Sequence, residues 1–280
     1  MPSADSQKFR REVYHHFKDK GRDLPWRPPS LKLRKDKSVD AYKILVAEVM
    51  LQQTQVDRVI PKYREFLEEF PTARALATSP LSKVLKVWSG LGYNRRALAL
   101  KRCAEKLMNT FGGQVPHTVE ELDALPGIGY HTACAIMAFA YNEPVVFVET
   151  NIRSVYLHHF FPKRKKVTDK ELLPFIEATL DRSHPRRWYS ALMDYGSSLK
   201  KTVENPSRRS AHHAVQSRFK GSNRELRGNI IRSMIKHRRM NLARLVRESS
   251  SDAVRVKKIA TGLIREGFLR RKGDALSLVS

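Results

Sequence analysis

Cysteine is scarce in this 280-residue sequence, which contains only Cys103 and Cys134. Two thiols make a disulfide scaffold implausible and indicate a reducing cytoplasm. Each lies in a helical apolar pattern, so we expect both side chains to pack in the core. Long hydrophobic stretches are also lacking. The sequence contains no run of about 18 apolar residues, so no transmembrane span is predicted. The polar residues 1–11 lack the apolar stretch of a signal peptide.

Acidic residues are few, since 28 Asp and Glu stand against 53 Lys and Arg and leave a net charge of +25. This excess favours a polyanionic partner, nucleic acid first, although a merely soluble basic protein stays open. A basic membrane-surface protein is disfavoured, because no long amphipathic Lys/Arg helix stands apart from the core pattern. The length suffices for one large or two ordinary domains with a sizeable core.

The apolar periodicity predicts a mostly helical chain. We expect helices over about residues 6–18, 41–53, 57–69, 80–89, 95–111 and 130–140, with a basic loop through Lys37. The helix over 41–53 is apolar almost all round, which is typical of a fully buried helix. Glu48 lies inside it, and a carboxylate there is costly unless it is paired, hydrogen-bonded or neutralised.

A capping box at Thr118–Glu121 opens a short helix that leads into a five-residue turn bounded by Leu125 and Gly129, with Gly127 between them. The turn needs residues that tolerate positive φ and a close backbone approach. Its amides would then point toward an anion such as a phosphate. On spacing alone, a plain helical hairpin is equally open.

The composition changes near residues 205–207, and residues 207–220 form a polar, basic linker. Beyond it, helices over 222–239, 242–249 and 252–265 and a short hairpin over 268–279 match a winged helix-turn-helix. The third helix carries Arg255, Lys257 and Lys258, and the wing carries Arg270. This segment is either a DNA-binding module or a protein-docking winged helix whose charges are merely solvated.

Four motifs make the chain recognisable, namely Glu48-Val-Met-Leu-Gln-Gln-Thr-Gln-Val56, Trp88-Ser-Gly-Leu-Gly-Tyr93, Leu125-Pro-Gly-Ile-Gly129 and Val148-Glu-Thr-Asn-Ile152. With their order and spacing, about residues 9–200 closely resemble the MutY-type adenine DNA glycosylases of the endonuclease III superfamily. The resemblance implies a mainly α helix-hairpin-helix DNA glycosylase fold, with two helical lobes and a cleft between them, plus a small C-terminal winged helix-turn-helix. We expect a glycosylase domain over 1–205, a linker over 206–220 and a winged-helix domain over 221–280. Within the first domain, six helices of about 42–150 form one lobe, and 1–41 with 151–205 form the other.

The resemblance assigns chemistry to three residues. Breaking an N-glycosidic bond leaves an oxocarbenium-like sugar and an anionic base, so an acid and a carboxylate counter-charge are both wanted. Glu48 occupies the place of the glutamate that protonates the purine, and burial would raise its pKa. Glu149 stands where the family has a cation-stabilising aspartate, a departure of one methylene. Asn151 matches the asparagine that organises the sugar. For Glu48, a buried structural glutamate is the alternative.

Flipping a base out of the duplex requires side chains that fill the space it leaves. Gln53 matches the wedge glutamine of the family, and Tyr93 matches a tyrosine inserted beside the opposite base. A helix-end cap and a core aromatic are the respective alternatives.

Four residues resemble those that line the base pocket of the family. Leu24, Trp26 and Arg27 are three of them, although Leu-Pro-Trp also makes ordinary core packing. Ser190 stands where the family reads the adenine edge with a Gln or Glu. A serine makes fewer hydrogen bonds, and losing a buried bidentate contact costs about 1–3 kcal/mol of discrimination.

The lyase branch of the superfamily carries an attacking lysine where this chain has His131. Imidazole does not form a stable Schiff base, so we expect a monofunctional glycosylase. His131 either touches the sugar or a phosphate or is a solvated hairpin histidine.

Members of the family usually carry a four-cysteine iron–sulfur cluster after the last core helix. The matching stretch, Leu199–Ser207, has no cysteine, and two distant thiols cannot build a cluster, so we expect no cofactor. The winged helix stands where relatives have the domain that recognises 8-oxoguanine. The histidine pairs at 15–16, 158–159 and 212–213 lack Cys or acidic partners at ligand spacing, so no metal is expected.

The expected function is therefore base-excision repair. A monomer binds double-stranded DNA that contains a mismatch or a damaged base and hydrolyses the N-glycosidic bond of the flipped base, adenine opposite G or 8-oxoguanine first. Thymine or uracil excision from G mismatches is the alternative substrate choice, and a non-catalytic DNA-binding relative is the rival class. We expect no membrane association, and a cytoplasmic, nucleoid-associated location if the source is bacterial or archaeal.

Overall fold

The computed structural model describes residues 4–28, 39–249 and 251–279, so part of the predicted basic loop through Lys37 lies outside the described residues. The chain divides into two compact units. The first comprises Met1–Glu48 and Val115–Val215, and the second comprises Val49–Gln114 and Gln216–Ser280. Each unit is thus built from two separate stretches of sequence.

The first unit is a helical layer around a large aromatic core. Its elements are α1 (Ala4–Lys20), the first part of α2 (Ala41–Leu51), α7 (Val119–Asp123), α8 (Tyr130–Ile136) with a following π turn (Met137–Tyr141), α9 (Thr150–Phe160), α10 (Asp169–Thr179), α11 (Pro185–Thr202) and a 3-10 turn (Pro206–Arg209). Helices α1, α9 and α11 pack around Trp188 and Tyr156, which are fully buried. Phe9 of α1 meets the Trp188 ring edge-on, at 5.9 Å between centroids.

The second unit combines a helical part with a small sheet. Its elements are the end of α2, α3 (Val56–Glu69), α4 (Ala73–Thr78), α5 (Leu81–Trp88), α6 (Arg95–Phe111), α12 (Asn223–His237), β1 (Arg239–Asn241), α13 (Leu242–Ser249), α14 (Ala253–Glu266), β2 (Leu269–Lys272) and β3 (Ala275–Leu278). The sheet is antiparallel in the order β1-β3-β2, with Met240 opposite Leu276 and Leu269 opposite Leu278.

This division differs from the predicted lobes. The predicted lobe of about 42–150 is split, because Cys134, Ala135 and Ala138 pack into the same core as α1, α9 and α11. The predicted winged-helix segment belongs to the second unit rather than standing alone. Glu266 of α14 explains this grouping, because its carboxylate binds Arg95 of α6 as well as Arg227 of α12.

The mainly helical fold with a small C-terminal sheet confirms the predicted fold class, and the predicted helices appear close to their expected bounds. Helix α2 ends at Leu51 rather than at residue 53, because the backbone of Gln53 turns left-handed (φ 55°) and cannot continue a helix. Strand β1 was not predicted. Arg238 has φ 57°, which ends α12 before residue 239 and frees the next three residues to pair with β3.

Both cysteines are free and buried, as expected. None of the helices in the described part of the chain has the length and apolar character needed to cross a bilayer.

Candidate active site and nucleic-acid interface

Helix α2 carries Glu48 between the buried residues Ala47 and Val49. The pKa of the Glu48 carboxyl is raised to about 8; burial is the largest cause, the neighbouring Glu149 also raises it, and Arg27 lowers it. Within the described ranges, no hydrogen bond from the protein reaches this carboxyl. Glu48 is therefore neutral near pH 7 and keeps a proton that it is free to donate. The direction of the shift confirms the prediction made for a carboxylate in this apolar helix.

Glu149 is the N-cap of α9. Its Oε2 accepts from the backbone N–H of Asn151 at 2.6 Å, and its Oε1 accepts from Asn151 Nδ2 at 3.3 Å. The extra methylene relative to an aspartate is thus accommodated, because the carboxylate folds back over the first turn of its own helix. Since Glu149 raises the pKa of Glu48, the two carboxyl groups lie within electrostatic range of each other.

Lys200 of α11 is a site residue that sequence reasoning missed. Its Nζ donates to Asn151 Oδ1 at 2.8 Å. Burial lowers the pKa of Lys200, while Glu149 raises it and Arg153 lowers it. Gly196 makes the contact possible, because a Cβ there would lie 2.2 Å from the Asn151 carbonyl oxygen. The two residues are four apart in α11 and so share one face, a spacing that could have been noticed in the sequence.

Arg27 is fixed by a buried carboxylate. Its Nη1 and Nη2 donate to the two oxygens of Asp194 at 2.8 and 3.0 Å, and Arg22 binds the same carboxylate. Burial alone would raise the pKa of Asp194, but the two guanidinium groups outweigh it and hold the pKa below its usual range. Asp194 thereby holds the cation of Arg27 within range of Glu48. Sequence reasoning had not singled out Asp194.

The other predicted pocket residues also belong to the first unit. Leu24 and Trp26 are each 8% exposed. Ser190 is fully buried, its carbonyl oxygen accepts from Arg27 Nη2 at 3.5 Å, and its Oγ has no hydrogen-bond partner among the described residues. A buried hydroxyl without a partner is unusual in proteins, and it leaves a hydrogen bond available to a ligand.

The helix-hairpin-helix turn forms as the sequence predicts, and it belongs to the first unit. Leu125 is buried, and Gly127 has φ 80°, which favours glycine. Gly129 is the N-cap of α8 in an extended conformation, with open space where a Cβ would point. His131 follows on the exposed surface.

Two predicted wedge residues share a rare backbone conformation in the second unit. Gln53 has φ 55° and Tyr93 has φ 47°, and both side chains are exposed. Non-glycine residues held at positive φ store strain that often marks functional positions. The Tyr93 hydroxyl also accepts hydrogen bonds from Gln216 and from Arg224 at 2.9 Å.

Arg96 organises both of these turns and was also missed by the sequence reasoning. Its Nη1 donates to the carbonyl oxygens of Met50 at 2.8 Å and Gln52 at 2.6 Å, which closes the end of α2. Its guanidinium also lies 5.5 Å from the centre of the Tyr93 ring. Burial lowers the pKa of Arg96 to about 10, which leaves it charged at neutral pH.

The predicted DNA-binding cations of the tail belong to the second unit. They differ in exposure and in whether they already bind other groups of the protein. Lys257 and Lys258 are exposed on α14. Arg255 is engaged, with Nε on Asn223 Oδ1 at 2.8 Å and Nη2 on the Gly221 carbonyl oxygen at 2.6 Å. Arg270 on β2 is exposed and donates to Ser277 Oγ at 3.1 Å.

No three His, Cys, Asp or Glu side chains come together as a metal site within residues 4–28, 39–249 and 251–279. Cys103 and Cys134 are both buried, and they belong to different units. The residues of this chain therefore do not fit a four-cysteine cluster.

The chain is similar to known DNA repair proteins. Residues 46–177 match the family described as HhH-GPD superfamily base excision DNA repair protein. The adenine DNA glycosylase of Buchnera aphidicola subsp. Baizongia pistaciae is 37% identical over 187 residues, covering 66% of this chain and 50% of that protein. The adenine DNA glycosylase of Mycolicibacterium smegmatis is 39% identical over 180 residues, covering 64% and 58%. The chain thus spans about half the length of these curated relatives.

A solved thermostable thymine-DNA glycosylase is similar to this chain at a TM-score of 0.60 and 23% identity, covering 72% of this chain and 90% of that one. The likeness confirms the predicted helix-hairpin-helix glycosylase fold.

Proposed function

We propose that the protein is a DNA glycosylase, and the match of residues 46–177 to the HhH-GPD superfamily of base excision DNA repair proteins supports this proposal. It hydrolyses the bond between deoxyribose and one base that has been flipped out of double-stranded DNA. The observation that carries the proposal is the raised pKa of Glu48, about 8, in a site that also holds the carboxylate of Glu149. A neutral acid beside a second carboxyl group is what N-glycosidic cleavage needs.

In the proposed reaction, Glu48 donates its proton to a ring nitrogen of the flipped purine, so the base leaves without a full negative charge. The sugar then carries an oxocarbenium-like positive charge, which the Glu149 carboxylate stabilises. Asn151 orients Glu149 through its backbone and side-chain amides. Water adds to C1′ of the sugar, and the proton it loses returns to Glu48. Because position 131 is a histidine rather than a lysine, the enzyme is monofunctional.

Gln53 and Tyr93 enter the duplex in place of the flipped nucleotide. Their exposed side chains and left-handed backbones, held by Arg96, support this role. A rigid wedge offsets the cost of unstacking, a few kcal/mol for a base pair, better than a flexible one. The hairpin around Gly127 and the exposed cations Lys257 and Lys258 hold the phosphate backbone.

The preferred substrate is adenine opposite G or 8-oxoguanine, and the choice of opposite base is relaxed. The adenine glycosylase activity named for the relatives supports adenine. Thymine or uracil opposite G is the second candidate. Ser190 stands where the resembled family has a longer Gln or Glu that hydrogen-bonds the adenine edge, and the unpartnered Ser190 Oγ could hydrogen-bond the edge of a different base. The protein acts as a monomer and uses no metal; the presence of only two cysteines supports the absence of a four-cysteine iron–sulfur cluster.

A panel of duplexes tests the proposal. Adenine, thymine, uracil and hypoxanthine are each placed opposite G, 8-oxoguanine and C, and base release is read by cleavage in alkali. We expect adenine to be released fastest, and Glu48→Gln to release none. Release of pyrimidines but not adenine would move the assignment to the second candidate. A wild-type protein that releases no base from any duplex would leave the non-catalytic DNA-binding relative.

A further inference from the structure

The stretch from Leu199 to Ser207 is where the resembled family places cluster cysteines, and here it contains none. We propose that side chains of this stretch hold α9 in position, and that Lys200 is a positioning residue that orients Asn151 and, through it, Glu149. This inference rests on the proposed function and deepens it, because it assigns a cation to the carboxylate that stabilises the sugar.

The geometry around Lys200 determines which way the Asn151 amide faces. An ammonium group only donates hydrogen bonds, so the oxygen of the amide must face Lys200 Nζ, at 2.8 Å. The NH2 group then faces Glu149 Oε1, at 3.3 Å. Lys200 and Glu149 thus favour the same orientation, because a flipped amide would put its NH2 group against the ammonium group and its oxygen against the Glu149 oxygen. Lys200 therefore orders the Glu149 carboxylate through Asn151.

Ser207 of this stretch and Arg209 just beyond it hold the later turns of α9. Ser207 Oγ and Ser154 Oγ are joined by a hydrogen bond of 2.6 Å, and both side chains are buried. Arg209 Nη2 donates to the Leu157 carbonyl oxygen at 2.8 Å. Helix α9 is thus held at its first turn by Lys200 and further along by Ser207 and Arg209.

The surroundings of Lys200 act on its charge in both directions. Removing an ammonium group from water is unfavourable, and burial indeed lowers the pKa of Lys200. The facing groups are the Glu149 carboxylate, which favours the cation, and the Arg153 guanidinium, which opposes it; Arg153 is itself paired with Asp169. A cation placed here is stabilised by the carboxylate of the proposed reaction centre.

Three variants test the role of Lys200. Lys200→Met removes the donor and the charge at similar length, Lys200→Arg keeps both, and Lys201→Met is the matched control because Lys201 is the exposed neighbour. We measure the single-turnover rate of base release, the affinity for a duplex with an uncleavable base analogue, and amide hydrogen exchange over residues 150–155. Removing a hydrogen bond to a charged group predicts a rate about 10- to 100-fold lower for Lys200→Met, with DNA affinity within about threefold of wild type. Exchange over 150–155 becomes faster, whereas Lys200→Arg recovers most of the rate.

The outcomes separate this inference from the proposed function. A wild type that releases base together with an unchanged rate for Lys200→Met overturns the inference alone. So does a loss that Lys200→Arg fails to recover, since that indicates packing rather than charge and donor. A borohydride-trapped adduct that disappears in Lys200→Met makes Lys200 the nucleophile and also overturns the positioning role. If wild type releases no base, the proposed function fails, and hydrogen exchange decides the inference: faster exchange in Lys200→Met supports it, and unchanged exchange overturns it.

Discussion

Replacing Glu48 by glutamine should stabilise the folded protein at neutral pH, even though it removes the proposed acid. In the folded state the Glu48 pKa is about 8, against 4.5 when the group is solvated. Between these two values the folded state keeps a proton that the unfolded state has released. The contribution of Glu48 to stability is fully present below pH 4.5 and is lost as the pH rises toward 8. Glutamine is neutral in both states and escapes this loss.

The size of the effect follows from the same pKa shift. Each pH unit in the window costs the wild type about 1.4 kcal/mol of unfolding free energy. At pH 7 the shift corresponds to about 3 kcal/mol, and because the Glu48 side chain is only half-buried, solvent screening reduces this to about 2 kcal/mol. The free energy of unfolding of Glu48→Gln should therefore be about 2 kcal/mol higher than that of wild type at pH 7 and equal to it at pH 4.

Urea unfolding from pH 4 to pH 9 measures this difference without any assumption about activity. Glu68→Gln on the exposed face of α3 is the matched control and should track wild type throughout. If the difference in unfolding free energy between Glu48→Gln and wild type stays the same from pH 4 to pH 9, Glu48 does not hold a proton with a raised pKa. Glu48 would then lose the property for which it is proposed as the acid.

The remaining predictions concern reaction type, pH, DNA contact and the wedge. Borohydride should not trap an enzyme–DNA adduct, and strands should break only after alkali or heat; efficient trapping contradicts a monofunctional enzyme. The single-turnover rate should fall about tenfold per pH unit above the Glu48 pKa of about 8; a rate that stays flat to pH 10 argues against Glu48. Lys257→Gln with Lys258→Gln should make the slope of log affinity against log salt shallower by about two, as measured by fluorescence anisotropy, and an unchanged slope favours protein docking by the tail. Arg96→Met should lower the free energy of unfolding by about 3–5 kcal/mol because several carbonyl oxygens lose their donor; Arg96→Lys should lower it less, and equal values contradict the capping role.

Local patterns in the sequence predicted what depends on neighbours along the chain. The helix bounds, the glycine turn at Gly127 and the unusual position of Glu48 in an apolar helix all follow from periodicity and residue type. The Glu48 pKa shift follows from burial, so its direction was accessible, and its reinforcement by Glu149 was not.

Contacts between segments that are far apart along the chain could not be predicted from the sequence. Lys200 meets Asn151 only because Gly196 lets α11 approach α9, and Arg96 looks like a surface residue until the end of α2 is seen to need a donor. The assignment of residues 216–280 to the unit of residues 49–114 depends on ion pairs such as the one between Arg95 and Glu266. No local sequence pattern predicts such a pair. Deleting the tail would therefore disrupt a unit rather than remove an independent domain, and charge-neutralising variants are the better probe.

The most direct test of the central claim is base release by wild type and Glu48→Gln in a single turnover, at pH 7, on the duplex that the panel shows to be preferred. We expect Glu48→Gln to bind this DNA within about threefold of wild type and to release its base at least about a thousandfold more slowly, since both the proton and its donor site are lost. Base release by Glu48→Gln within tenfold of wild type would show that another group supplies the proton and that Glu48 is not the acid.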